Sequence, residues 1–221
     1  MSKQKIISQS DYLKAMKPFE IYIREADHIL RTDEYIIIHL DGVGMTKNVL
    51  GKLNDEDRKS FSNCLLNVTK ALCNDFKSLR LAYACNDEIS LLLDGGENED
   101  NYNNRIQKLS SISAAKASTE LLRQIQRLGN KNFKNLQDNC IFAVKCYSLP
   151  KNLVNDYFKT RLLSCKKSIF DKRQNFESKE DWEKFGYLVT YQSAKWGSVS
   201  VDFADKKLVK QPQNEYYSLN S

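Results

Sequence analysis

No stretch of about eighteen consecutive apolar residues occurs in this 221-residue chain, so nothing in it is expected to span a membrane. Only two histidines are present, His28 and His39, and none of the six cysteines (Cys64, Cys73, Cys85, Cys140, Cys146, Cys165) forms a Cys-x-x-Cys pair. That poverty of soft ligands argues against a zinc site. The N-terminus is basic but has neither the apolar run nor the small-residue cleavage site of a secretory signal, and Asp11 argues mildly against a transit segment. Scattered cysteines without a secretory signal read as reduced thiols, and a cytoplasmic location is expected. The charge excess is small. A net +6 permits an RNA or nucleotide-polyphosphate partner without requiring one. With 41% apolar residues, the length fits one domain, or one domain with a modest C-terminal extension.

What the chain does have is a legible order of elements. Residues 1–30 carry Tyr12, Met16, Phe19, Ile23 and Ala26 at near-helical spacing. The run Tyr-Ile-Ile-Ile-His-Leu before Asp41-Gly42 reads as a buried strand ending in a glycine turn. Asn54 and the acids after it supply a helix N-cap and a first turn matched to the dipole. Phe61, Leu65, Val68, Leu72 and Phe76 continue as an amphipathic helix. Two strand-like runs, residues 79–85 and 88–93, flank Asn86-Asp87, the spacing of a two-residue hairpin. A long helix is expected over residues 105–128, with a Ser- and Ala-rich middle that can approach a sheet closely. A fourth strand is expected over residues 141–147.

Strand, helix, strand, strand, helix, strand is the split β-α-β order, which predicts an α+β, ferredoxin-like palm domain. Its antiparallel sheet would carry helices mainly on one face. Residues 1–150 are expected to form this palm-like core with its N-terminal helix. Residues 151–221 would add a basic helix near 151–173, a polar connection and a last strand near 198–203, as part of the same domain.

In this order Asp41 ends the first strand and Asp87 lies in the hairpin, so the two can converge on one sheet edge. Paired carboxylates repel one another and call for a cation. Magnesium, which is usually held by one or two carboxylates plus substrate phosphates, suits them. Two such ions would serve an in-line phosphoryl displacement. Both positions are also ordinary turn residues. The Gly42-Val43-Gly44 turn can cradle a triphosphate with backbone N–H groups or be a plain glycine turn. His39 shares the face of Asp41, either near a phosphate or as a packed histidine. Glu88 is expected to point away from Asp87 in a supporting role.

These residues carry a likeness. His39-Leu-Asp-Gly42 resembles the Arg-Leu-Asp-Gly metal motif of tRNA-His guanylyltransferases. Residues 86–93, Asn-Asp-Glu-Ile-Ser-Leu-Leu-Leu, resemble the Ser-Asp-Glu-Ile-Ser-Leu-Leu-Leu of their bacterial and archaeal relatives. Phe19-Glu20, Ile106-Gln-Lys-Leu109 with Ser111 and Ser113, and Leu149-Pro150 followed by Tyr157-Phe158 and Arg161 match at similar spacing. The resemblance covers roughly residues 15–170. It implies a palm fold, magnesium dependence, ATP or GTP as substrate, and addition of nucleotides to the 5′ end of RNA, such as tRNA, in the 3′–5′ direction. It also implies a tetramer or dimer. Carried over, Asp41, the carbonyl of Gly42 and Asp87 would hold two magnesium ions. Asp41, Gly42, Val43, Gly44, Met45 and Thr46 would wrap the triphosphate. Asn86 stands in place of a family serine, and Lys108 and Ser111 would lie near phosphates. The chain departs at His39, where the family has arginine, and at Phe142-Ala-Val-Lys145, which lacks the carboxylate of the family's Phe-Asp-x-Arg. The metal core is kept while substrate-reading parts differ, which implies nucleotidyl chemistry on a changed substrate.

Of the basic stretch in the C-terminal helix, Arg161, Lys166 and Lys167 are expected to contact RNA backbone, unless they form a solvated face. Two other functions remain open on the sequence. One is a palm-type nucleotide cyclase or second-messenger synthase acting on free nucleotides. The other is a catalytically silent RNA- or nucleotide-binding protein.

Overall fold

The computed structural model describes Lys17 and residues 28–96, 99–134, 139–170, 186–191 and 199–203. The helix expected within residues 1–30 therefore lies almost wholly outside the described residues. Among the described residues six strands form one antiparallel sheet: β1 (Tyr35–Gly42), β2 (Leu79–Cys85), β3 (Glu88–Asp94), β4 (Phe142–Leu149), β5 (Tyr187–Tyr191) and β6 (Val199–Phe203). Their spatial order is β4-β1-β3-β2-β5-β6. The first and third strands are central, as the split β-α-β order requires.

Four α-helices accompany the sheet in the described residues: α1 (Met45–Asn48), α2 (Asp55–Cys73), α3 (Ile106–Leu128) and α4 (Val154–Phe170). The long helices α2 and α3 cover one face. Phe61, Leu65, Val68 and Leu72 of α2, with Leu109, Ala117, Leu121 and Ile125 of α3, pack on Ile36, Ile38, Leu40, Ile89 and Leu91. Ser113 and Ala117 are fully buried small residues in the middle of α3, where closeness to the sheet leaves no room for larger side chains. Asn54 caps α2 by accepting the Asp57 N–H at 2.8 Å. On the other face lies α4, with Val154, Phe158 and Leu162 against Tyr35, Ile37, Leu81, Tyr83 and Leu92. β1 is thus buried on both faces, which explains its unbroken apolar run.

Strand β5 falls in the stretch read as a polar connection. At five residues it is too short to show periodicity, and pairing with β2 and β6 defines it. Among the described cysteines, Cys64, Cys73, Cys140 and Cys146 are in no disulfide, but Cys85 is disulfide-bonded. That corrects the expectation of reduced thiols throughout. A bridge made by folding leaves no trace in cysteine spacing. No helix among the described residues is long and apolar enough to cross a membrane.

Candidate active site

Alternation along β1 sends His39 and Asp41 to the α4 face, while Ile38 and Leu40 enter the larger core. Asp41 is exposed, opposite Glu88 of β3 on one side and Ala143 of β4 on the other. Asp87 sits in the two-residue turn between β2 and β3, where Asn86 takes the left-handed backbone conformation at φ 56°. The Gly42 N–H donates to the Asp87 carbonyl at 3.0 Å, tying the end of β1 to this turn. The expected convergence of the two aspartates on one edge is therefore present.

Asp87 is only 5% exposed. The Thr46 hydroxyl, 2.9 and 2.8 Å from its two oxygens, donates to the carboxylate. Burial pushes the Asp87 carboxyl above the ordinary aspartate value, and the Asp41 charge adds to the rise. Hydrogen bonding from Thr46 only partly opposes it. Gly42 makes this closeness possible. A Cβ there would stand 2.6 Å from Met45 Sδ and 3.0 Å from Asp87 Cβ, and Met45 is fully buried.

Around this pair the α4 face is polar. His39 Nδ1 is 3.1 Å from Ser90 Oγ, which is 3.0 Å from the Tyr157 hydroxyl. Burial and the nearby Arg161 lower the His39 pKa to about 4, so it is a neutral packed histidine at ordinary pH. Arg161 donates to Glu88 Oε2 at 3.2 Å, and its guanidinium stands 5.9 Å over the Tyr157 ring. The expected RNA contact at Arg161 thus has partners inside the protein, because α4 packs on the sheet instead of standing away from it. Lys166 and Lys167 are on α4, but their side chains lie outside the described residues.

The loop after β1 is partly committed internally. Gly42 N–H goes to Asp87, and Val43 N–H donates to the Ile141 carbonyl at 2.8 Å. A triphosphate would therefore have to be met at Gly44, which is exposed and turns left-handed at φ 67°. Lys108 and Ser111 line a cleft of about 740 Å³ between the first turns of α3 and Val144 of β4, with Arg105 and Gln107 beside them. Val144 packs with the α2–α3 core, so this cleft is on the sheet face opposite to that of Asp41, and Arg105 at one end of it bridges Ile29, ahead of the start of β1.

A second cleft, of about 390 Å³, adjoins α1 and is lined by Asn48, Lys52, Asn54, Asp57, Lys131 and Asn132. Sequence reasoning missed it. Asp57 reads as a capping acid, yet its carboxylate is buried and accepts from Asn130 and Asn132 at 2.6 and 2.8 Å. Only the polar, amide-rich composition of these two loops could have signalled it.

Among the described residues no group of three or more His, Cys, Asp or Glu side chains is placed to hold a metal unaided. Two hard carboxylates at one edge, one of them buried and short of positive partners, nevertheless fit magnesium, which leaves its other positions to water and phosphate.

The family model of tRNAHis guanylyltransferase matches residues 13–150. No curated protein matches the sequence significantly. Among solved structures, a bacterial tRNA(His) guanylyltransferase-like protein in complex with GTP is similar, with a TM-score of 0.73 at 20% identity over 90% of this chain and 95% of that one. The same kind of bacterial protein in complex with ATP gives 0.73 at 18% over the same shares. The tRNA(His) guanylyltransferase of Saccharomyces cerevisiae gives 0.61 at 15% identity, over 86% of this chain and 98% of that one.

Proposed function

The chain belongs to the tRNAHis guanylyltransferase family of nucleotidyltransferases, and from that membership we propose that it adds nucleotides to the 5′ end of RNA, with magnesium held by Asp41 and Asp87. The observation that carries this reading is the tie between Gly42 N–H and the Asp87 carbonyl, which brings the carboxylates of β1 and of the β2–β3 turn to one edge. GTP and ATP in the related bacterial structures support a nucleoside triphosphate as the donor.

In this reading Asp41, Asp87 and the Gly42 carbonyl hold two magnesium ions. Bound there, magnesium would neutralise charge on the transferring phosphoryl group and make a hydroxyl a better nucleophile. The protein's own part is positioning. The Thr46 hydroxyl fixes the Asp87 carboxylate, while the exposed turn at Gly44 would meet the triphosphate. As the family resemblance implies, Lys108 and Ser111 would steady phosphates, and Asn86 holds the turn that presents Asp87. The amides and lysines of the cleft beside α1 offer donors and acceptors to a nucleobase.

The deciding experiment supplies α-labelled ATP, GTP, CTP and UTP with magnesium, with and without 5′-monophosphorylated or 5′-triphosphorylated RNA. Label entering the RNA 5′ end only when RNA is present is the expected result. A new small product without RNA would make the protein a cyclase or second-messenger synthase, and no turnover anywhere would make it a silent binder.

A Gly42→Ala variant tests the close approach separately. Its methyl group would displace Met45 or the Asp87 turn, and a shift of about 1 Å in reacting groups costs on the order of a hundredfold in rate. We expect that loss in kcat with the fold retained by circular dichroism. Unchanged kcat would mean that the approach does not matter to catalysis.

A further inference from the structure

A third carboxylate stands at the carboxylate edge and is not needed by the reading above. Glu88 is the register partner of Asp41 and follows Asp87, so three acids crowd one corner of the sheet. Alternation along β3 puts Glu88 on the α4 face with Ser90 and Leu92, the face that Asp41 also shares. Nothing in strand geometry would stop Glu88 from joining Asp41 around a cation.

Arg161 meets it from α4. The helix is pinned by Val154, Phe158 and Leu162, and Arg161 lies one turn beyond Tyr157, whose ring it covers. Its guanidinium donates to Glu88 Oε2 at 3.2 Å, while its Nε is buried without a hydrogen-bond partner. An unmatched guanidinium N–H is a costly thing to bury. Hydrophobic packing of α4 would be served better by an apolar residue at that position. The placement makes sense if the charge is wanted there.

We infer that Arg161 is a positioning residue that holds Glu88 out of the cation site, so that the corner presents two carboxylates instead of three. The inference rests on the metal reading of Asp41 and Asp87. With Glu88 paired, the ligand set keeps the low carboxylate count that suits magnesium, which retains its waters and meets phosphates. With Glu88 released, three carboxylates would favour calcium, which accepts more oxygens in looser geometry.

The test measures binding of Mg²⁺ and Ca²⁺ by calorimetry and by thermal shift, on the full chain without nucleotide. Arg161→Met is expected to bind Ca²⁺ roughly tenfold more tightly than the parent, since a cation is lost and a carboxylate is gained near the site. Adding Glu88→Gln to that variant should return Ca²⁺ affinity to the parental value. Glu88→Gln alone should bind Mg²⁺ within about twofold of the parent, and this variant keeps the test open if Arg161→Met does not fold. A lower melting temperature in Arg161→Met with unchanged Ca²⁺ affinity would show a purely structural arginine and overturn the inference. So would a Glu88→Gln variant that loses Mg²⁺ binding, which would make Glu88 a ligand. Asp41→Asn and Asp87→Asn are the controls. If they leave cation binding intact, the metal reading itself fails and the inference with it. If they abolish binding while Arg161→Met changes nothing, only the inference fails.

Discussion

An Asp87→Asn variant is expected to lose turnover by roughly a thousandfold or more, yet to melt at a higher temperature than the parent when divalent cations are absent. The loss follows from removing a ligand to ions that contribute several kcal/mol of transition-state stabilisation, about 1.4 kcal/mol being a factor of ten. The gain in stability follows from the surroundings of the carboxylate. Burial, with the Asp41 charge, raises the Asp87 carboxyl above its ordinary value of 3.8. The folded state therefore holds this proton more tightly than the unfolded state does. In such a case stability is greatest at low pH and falls as pH rises from the unfolded pKa through the folded one, so the penalty grows towards neutrality. Asparagine carries no charge, and its amide oxygen can still accept from Thr46. In chelator, the parent should lose melting temperature as pH rises from about 4 to 7 by more than Asp87→Asn does. With magnesium the order should reverse, because only the parent gains from binding. Asp41→Asn, at an exposed position, should lose turnover equally with little change in melting. An Asp87→Asn protein that melts lower than the parent in chelator would show that the charged carboxylate is a structural asset.

The largest effect on stability is expected at the opposite end of the sheet. A Cβ on Gly95 would stand 1.9 Å from the Glu34 carbonyl oxygen and 2.9 Å from that of Arg31. Both obstacles are backbone, so no rotamer change relieves them. Gly95 is also held from the other side, where its carbonyl accepts from buried Asn104 Nδ2 at 2.6 Å. The segment cannot move outward without breaking that bond. Overpacking typically costs 1–3 kcal/mol, and with two backbone clashes Gly95→Ala should cost about 3 kcal/mol or more. For a chain of this size that is a fall of roughly 10 °C in melting temperature. Gly96 is the matched control, since a Cβ there meets nothing within 4 Å. Gly96→Ala should melt within a degree or two of the parent, the small effect usual at surface positions. Equal melting of the two variants would mean that this end of the sheet repacks freely.

The sequence carried the strand order and the aspartate pair because both are written in local signals. Alternating and β-branched runs marked β1, β2 and β3. The bare Asn86-Asp87 spacing marked the hairpin, and Asn86 indeed takes the left-handed conformation. Once the order was split β-α-β, the centre of the sheet followed from topology. What could not be read was contact between segments far apart in the chain. Thr46 lies 41 positions before the carboxylate it holds, and Arg161 lies 73 after the one it pairs with. Neither residue has a local pattern that announces its partner. The same holds for Asp57 with Asn130 and Asn132, and for the Cys85 disulfide. The pairing of Arg161 was not legible because a basic residue on a helix reads as solvent-facing until the sheet beneath that helix is known.

The tie between β1 and the hairpin bears on how the molecule assembles in time. The β2–β3 hairpin closes across two residues, so its formation belongs to the microsecond range of local events. β1 must instead find β3 across intervals such as the 51 positions that separate His39 from Ser90, a stretch that includes all of α2. Loop closure over that distance is paid before its contacts reward it, which slows the step. Asp87 is therefore in place on its turn before Asp41 arrives. The two carboxylates come together only when the central strand docks, and a cation that bridges them would act on folding at that late step.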